Sequence, residues 1–108
     1  MVSVRIGRHL IGDDHPVFII AEAGSNHDGD PKIAHQLIDM AADCGADGVK
    51  FQKFDTDRLV SKAGANAQYI KTAMGKDETL YELLSRLQLS KERFREFQRH
   101  AQERGLEF

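Results

Sequence analysis

The chain has 108 residues, enough for one small domain, and is 41% hydrophobic and 30% charged, as in ordinary soluble globular proteins. Its formal net charge of -2 lacks the basic excess that neutralises nucleic-acid phosphates or anionic membrane surfaces. No apolar run approaches the roughly 20 residues that span a bilayer, and the amino terminus has no signal-peptide core. We therefore expect a cytoplasmic protein that binds neither nucleic acid nor membrane.

The first elements in chain order are a predicted hairpin and a predicted strand. Alternating apolar residues predict a small antiparallel hairpin over residues 1–12, with its turn near Gly7 to His9. The run Val17–Ala21 is apolar without alternation, which is typical of a strand buried on both faces of a parallel sheet. A loop from Glu22 follows, and a helix begins after Asp30, which is a good N-cap residue.

This helix has Pro31 at its first position, where proline is favoured. Apolar residues at helical spacing predict its buried face; they are Ile33, Leu37, Met40, Ala41 and Cys44. Cys44 is the single cysteine of the chain, and we expect it to be a packed structural thiol rather than a nucleophile. The next strand, Gly48–Gln52, completes a β–α–β unit, so the two strands should be parallel.

The second half of the chain predicts two helices and a third strand. Residues 55–77 are less regular, and leucines at positions 80, 83, 84 and 87 mark a short helix. Ser90 can cap a second helix, on which Phe94 and Phe97 share a face. Leu106–Phe108 begins a third strand. The expected fold class is α/β, with the first βα units over residues 17–108 and no complete second domain.

Polar residues lie at the carboxyl ends of the first two predicted strands, where parallel α/β folds bind their ligands. Glu22 ends the first strand and is followed by Asn26 and His27, while Lys50 and Gln52 lie on the second. A lysine in such a strand needs an anionic partner, because an unpaired buried charge is very costly. That partner is either a substrate phosphate or carboxylate, or Glu22 in an internal ion pair. For Asn26 and His27 the alternative is simple turn chemistry.

Several other kinds of site are disfavoured by the same sequence. The glycine-containing loop matches neither a dinucleotide-binding nor a Walker A motif. Glu22 and His27 lack a third ligand at metal-binding spacing. None of the histidines pairs with a serine or the cysteine in a recognisable nucleophile arrangement.

Taken together, these residues resemble the N-acetylneuraminate (sialic acid) synthase family. Two motifs carry the resemblance, Ile20–Gly29 (IAEAGSNHDG) and Gly45–Gln52 (GADGVKFQ), and their order and spacing are specific. Weaker markers follow over the rest of the chain: Leu59–Ser61, Tyr69, Tyr81–Leu84, Leu87–Ser90 and Gly105–Phe108.

The resemblance implies the N-terminal part of a (β/α)8 TIM barrel with a preceding β-hairpin, incomplete in this chain, because such a barrel needs roughly 250 residues. It also implies condensation of phosphoenolpyruvate with an N-acylated mannosamine-type sugar to a nine-carbon 2-keto sugar acid. The family uses Mn2+ or Mg2+, whose histidine ligands lie on later strands, so no metal ligand is expected here. A homodimer is expected of the complete enzyme.

The family roles are carried over by position. Glu22 matches an acidic catalytic residue that handles protons near the reacting centre, and Lys50 matches a lysine that binds phosphoenolpyruvate. Gln52 matches a residue that contacts the acceptor sugar. Asn26 and His27 match the substrate-site motif, where they bind substrate or shape the loop.

Two other interpretations remain beside the enzyme. The chain is either a non-catalytic fragment or interaction module of the same ancestry, or part of another phosphate-binding, aldolase-like barrel enzyme, against which the two motifs argue. We expect the 108-residue chain alone to be inactive and of low stability as a monomer, because three strands leave unpaired edges. The acceptor, whether free or phosphorylated N-acetylmannosamine or a legionaminic or pseudaminic precursor, is set by residues outside these motifs.

Overall fold

The computed structural model describes residues 2–61, 69–71 and 77–108. Its strands are β1 (Ser3–Ile6), β2 (His9–Gly12), β3 (Ile20–Gly24), β4 (Gly48–Phe51), β5 (Tyr69–Lys71) and β6 (Asp77–Thr79). Its helices are α1 (Pro31–Asp43), α2 (Thr56–Leu59), α3 (Leu80–Leu87) and α4 (Lys91–Glu103). The stretch 55–77, predicted to be less regular, thus contains α2 and β5, and its residues 62–68 and 72–76 lie outside the described part.

The strands form the two pairs that the sequence predicts, and a third pair that it did not predict. β1 and β2 make an antiparallel hairpin, β3 and β4 are parallel neighbours, and β5 pairs with β6 in antiparallel fashion. The third predicted strand is present as a parallel bridge between Gly48 and Glu107. The Val49 N–H donates to the Glu107 carbonyl at 2.9 Å, so the third strand extends the sheet beyond β4. The predicted β–α–β unit is confirmed.

The first strand of this sheet begins three residues later than predicted, at Ile20 instead of Val17. The reason is the Asp47 side chain, which accepts the Ile19 N–H at 2.8 Å. The Ile19 carbonyl in turn accepts the Asp47 N–H at 2.8 Å. The turn before β4 therefore fixes this part of the chain, and the regular ladder starts only after it.

The core lies between the β3–β4 sheet and the helices α1 and α4. Its buried residues are Ala23, Ala34, Ile38, Ala41, Val49, Phe97, Ala101 and Leu106. Phe97 is fully buried, and its ring centroid lies 5.6 Å from that of Phe51 and 5.7 Å from that of Phe94. Because side chains alternate along a strand, Ala23 and Val49 point into this core, whereas Glu22 and Lys50 point to the opposite face.

The buried face of α1 differs from the predicted one. Ala34, Ile38 and Ala41 are buried, whereas Met40 is 59% exposed and Cys44 is exposed. Small alanines let α4 approach closely, so the alanine stripe takes the helix contact. Most of the predicted stripe instead lines a groove of about 200 Å³ beside β3. The expectation that Cys44 is packed in the core is therefore wrong.

Polar contacts close the outer side of the α1–α4 interface. His100 Nε2 lies 2.8 Å from Asp39 Oδ1, and Arg104 donates to Asp39 at 2.8 Å and to Asp43 at 2.6 Å. The hydrogen bond with His100 is the main reason that the pKa of Asp39 is lowered. These contacts fix how the two helices lie against each other.

The face of β3 that points away from the helices is open. Ile20 is 55% exposed, and Val17 and Ile19 are exposed as well. The prediction of a strand buried on both faces is therefore wrong for the described chain. The cause is that the residues described here supply only one helical layer, so they cover one face of the sheet.

None of the helices within the described ranges is both long enough and apolar enough to cross a membrane.

Candidate active site

An ion pair on the open face of the sheet forms the centre of the candidate site. Glu22 on β3 lies directly beside Lys50 on β4 in the parallel register, and Lys50 Nζ is 2.9 Å from Glu22 Oε2. The Glu22 side chain is 52% exposed and the Lys50 side chain is 59% exposed. The internal ion pair left open by the sequence is thus present. Both groups nevertheless remain accessible to a ligand, so the pair does not exclude anion binding at Lys50.

Gln52 is connected to the Glu22–Lys50 pair through its contacts with Gly24. The Gln52 N–H donates to the Gly24 carbonyl at 3.3 Å, and the strand register is irregular between Glu22 and Gly24. Gly24 has a φ of +53°, and a Cβ there would lie 3.2 Å from Glu22 Oε1 and 4.0 Å from Gln52 Nε2. Glycine is suited to this left-handed backbone, and its missing side chain leaves free space between the two polar groups. Sequence reasoning did not single out Gly24.

The loop after β3 is a series of tight turns. The Asn26 N–H donates to the Ala23 carbonyl at 3.0 Å, the Asp28 N–H to the Ser25 carbonyl at 3.2 Å, and the Asp30 N–H to the His27 carbonyl at 2.9 Å. Turn chemistry is therefore part of the role of this motif. The exposed Asn26 remains accessible to a ligand.

His27 has a different environment, because it is fully buried. Its Nδ1 accepts the Gly29 N–H at 2.9 Å, which assigns the ring proton to Nε2. Burial lowers the pKa of His27, and the neighbouring Asp28 carboxylate partly offsets this effect. A neutral, buried imidazole favours loop shaping over direct contact with a substrate. Substrate binding by His27 stays a prediction.

A cleft of about 480 Å³ lies along β4. Its walls are mainly apolar, and the charged side chains that line it are those of Lys50, Lys53 and Glu107. The two ammonium groups outnumber the Glu107 carboxylate at this cleft, which suits an anionic ligand. Lys53 was missed by sequence reasoning, although its position three residues after Lys50 on the same segment was a usable signal.

Lys50 and Gln52 lie in the part of the chain that matches a known protein family. The sequence model of the NeuB family matches residues 37–108, two thirds of the chain. The chain belongs to the NeuB family. This confirms the resemblance to the N-acetylneuraminate synthases, while the residue roles carried over from that family stay predictions.

Similar proteins in the NeuB group include synthases of several sugar acids. The chain is 46% identical over 92 residues to the spore coat polysaccharide biosynthesis protein SpsE of Bacillus subtilis, covering 85% of this chain and 24% of that protein. It is 43% identical over 97 residues to the N,N'-diacetyllegionaminic acid synthase of Legionella pneumophila, covering 90% of this chain and 27% of the synthase. The chain thus spans about a quarter of the length of these curated relatives.

A solved structure of a sialic acid synthetase has the same fold over the length of this chain. The N-acetylneuraminic acid synthetase of Leptospira borgpetersenii, in complex with citrate, superposes with a TM-score of 0.75 at 30% identity. The superposition covers 97% of this chain and 32% of the synthetase chain. The α/β architecture is thereby confirmed.

The divalent metal that the NeuB resemblance implies does not fit the polar groups of this site. Among residues 2–61, 69–71 and 77–108, no group of three or more histidine, cysteine, aspartate or glutamate side chains is arranged to hold a metal ion. Glu22 is engaged by Lys50, and the Nδ1 of the buried His27 accepts the Gly29 N–H. No chemical step is therefore assigned to a metal here.

Proposed function

We propose that this chain supplies the phosphoenolpyruvate-binding side of the active site of a sialic acid synthase-type enzyme. The observation that carries the proposal is the exposed Glu22–Lys50 pair at neighbouring positions of two parallel strands. Its place near the carboxyl ends of the strands is where (β/α)8 barrels keep their catalytic residues. The proposed complete fold is such a barrel, of which β3, β4 and the strand at Glu107 are the first three.

Lys50 is the proposed contact for an anionic group of phosphoenolpyruvate. Its ammonium group already has a carboxylate partner 2.9 Å away and remains more than half exposed. A substrate carboxylate or phosphate can therefore approach Lys50 from the open face, while Glu22 keeps it oriented. Lys53 in the same cleft adds a second positive charge.

Glu22 is the proposed proton acceptor, and Gln52 the proposed contact for the acceptor sugar. In the proposed reaction, C3 of phosphoenolpyruvate forms a bond to the aldehyde carbon of an N-acylated mannosamine-type sugar, and the aldehyde oxygen takes up a proton from solvent. Water then adds at C2 and gives a proton to the Glu22 carboxylate. The C2 hydroxyl then passes its proton to the departing phosphate as the bond from C2 to the phosphate oxygen breaks, so that inorganic phosphate and the 2-keto sugar acid leave and Glu22 returns its proton to solvent.

The binding half of this proposal is tested by NMR titration of the isotope-labelled chain with phosphoenolpyruvate. We expect shifts at Lys50, at Lys53 and at the side-chain amide of Gln52. Sulfate at matched ionic strength is the control for non-specific anion binding. Equal shifts with sulfate, or shifts confined to basic residues of α4 such as Arg93, would contradict the proposal.

The catalytic half needs the remainder of a barrel, because the chain alone is expected to be inactive. The 108 residues would replace the matching part of the Legionella synthase, and phosphate release from phosphoenolpyruvate would be measured with that enzyme's own acceptor. An active chimera should lose at least about 100-fold in rate on Glu22→Gln, as expected for removal of a general base. Unchanged turnover would remove Glu22 from the proposed role.

A further inference from the structure

The carboxyl end of α3 touches the loop after β3. The Arg86 guanidinium pairs with the Asp28 carboxylate, and it also donates to Glu78 at 3.2 Å. Asp28 has a φ of +54°, a left-handed conformation that is uncommon for residues other than glycine. Such a conformation persists where its surroundings hold it in place. The ion pair with Arg86 is one such contact.

The backbones of the loop and of α3 also meet directly. Gly29 has a φ of +77°, and a Cβ at this position would overlap the carbonyl oxygen of Arg86. Glycine is therefore required for two reasons: the left-handed backbone and the close approach of the helix end. Arg86 thus holds the loop through the ion pair of its side chain with Asp28, and its carbonyl oxygen leaves no room for a side chain in place of Gly29.

Gln88, the residue that follows α3, makes hydrogen bonds to the segment after β4. Gln88 Oε1 accepts the N–H of Thr56 at 3.0 Å and its hydroxyl at 2.8 Å. Thr56 is buried and is the first residue of α2. Gln88 therefore fixes the start of α2, four residues after Gln52.

We infer that residues Arg86 to Gln88 form a positioning segment that holds the two loops after β3 and β4 in one relative arrangement. This inference deepens the proposed function and rests on it. The loop after β3 contains Asn26, and the loop after β4 begins with Gln52, and both residues are predicted to contact substrate. Neither Arg86 nor Gln88 is assigned a contact with substrate. They act through Asp28, Gly29 and Thr56.

The first test removes the charge of Arg86 with Arg86→Gln. We expect severalfold faster amide exchange at Asp28, Gly29 and Asp30, and a shifted side-chain amide resonance of Asn26, with little change in thermal stability. Arg93→Gln is the matched control, because Arg93 makes a comparable exposed ion pair with Glu96 at 3.1 Å. This control should leave all three measurements unchanged.

The second test compares Gln88→Leu with Gln88→Glu. Leucine offers no acceptor to Thr56, whereas glutamate keeps the accepting oxygen. We expect faster exchange at the Thr56 amide and a shifted Gln52 side-chain resonance in Gln88→Leu, with both restored in Gln88→Glu. Such a rescue would not follow from a role in helix packing alone.

Phosphoenolpyruvate affinity separates this inference from the proposed function. If the wild-type chain binds phosphoenolpyruvate, Arg86→Gln should weaken binding severalfold relative to Arg93→Gln. A wild-type chain without affinity would count against the proposed substrate, while the Asn26 and Gln52 resonances would still decide the positioning role. The inference would be overturned if the resonances and the amide exchange were unchanged in Arg86→Gln and Gln88→Leu. It would also be overturned if the wild type bound phosphoenolpyruvate and Arg86→Gln bound it with the same affinity.

Discussion

The two faces of the β3–β4 sheet differ in what they contact. On the helix side, Ala23 and Val49 pack against α1 and α4 around the fully buried Phe97. On the open side, the neighbouring positions of the same strands carry Glu22 and Lys50, which pair with each other and stay more than half exposed. Strand alternation thus separates the residues that stabilise the fold from those proposed to bind the ligand.

The two groups of residues can therefore be changed independently. Burial of apolar surface, which dominates stability, occurs on the helix side. Exposed ion pairs contribute little to stability, so the charges of the open side have to be explained by something else. We propose ligand binding as the explanation, and three substitutions test this contrast between the two faces.

The largest effect is expected from Phe97→Ala. Phe97 packs between Phe51 and Phe94, and truncating a buried phenylalanine costs about 3–5 kcal/mol. Urea unfolding followed by circular dichroism would measure the loss. The control on the open face is Ile20→Ala, which should cost about 0.5 kcal/mol, since Ile20 is 55% exposed. Equal losses would show that the open face is covered in solution.

A pH-dependent effect of intermediate size is expected at His27. Burial lowers its pKa in the folded chain below the ordinary value near 6.5, so the unfolded chain binds the proton first as the pH falls. The free energy of unfolding should therefore decrease below about pH 6.5 and stay reduced below the folded pKa.

The measurement compares unfolding at about pH 7.5 and about pH 5.5 in the wild type and in His27→Gln. The variant should show a smaller difference between the two conditions. His15→Gln, which changes an exposed histidine, should leave the difference as in the wild type. An unchanged difference in His27→Gln would show that His27 is not buried in solution.

The smallest effect on stability is expected from Lys50→Met. Its exposed ion pair with Glu22 should contribute no more than about 1 kcal/mol, while the loss of the ammonium group should abolish phosphoenolpyruvate binding by calorimetry. Lys91→Met removes a lysine from the first turn of α4 and is the matched control for total charge. A Lys50→Met variant that binds normally would place the ligand elsewhere.

Local patterns predicted much of the fold. The N-caps Asp30 and Ser90, the helix α3 and the parallel pairing of β3 with β4 follow from capping chemistry, apolar spacing and element order. Positions of Glu22 and Lys50 on adjacent strands could be predicted because both follow directly from the β–α–β order. Their roles remain predictions.

Other features depend on contacts between distant residues, which a pattern does not encode. Two apolar stripes were available on α1, and only the position of α4 decides that Ala34 and Ile38, rather than Met40 and Cys44, are buried. Likewise, the proximity of Arg86 to Asp28 joins residues that are 58 positions apart. Neither has a signal in the local sequence.

The direct register of Glu22 against Lys50 has a consequence for how the site could vary among relatives. Their spacing is set by the backbone ladder of β3 and β4 and requires no loop to hold it, so the pair is preorganised and needs little rearrangement when a ligand arrives. Loops around such a pair can diverge without disturbing it. In the proposed function, such a pair keeps the contact with phosphoenolpyruvate constant while the surrounding loops adapt to new acceptors.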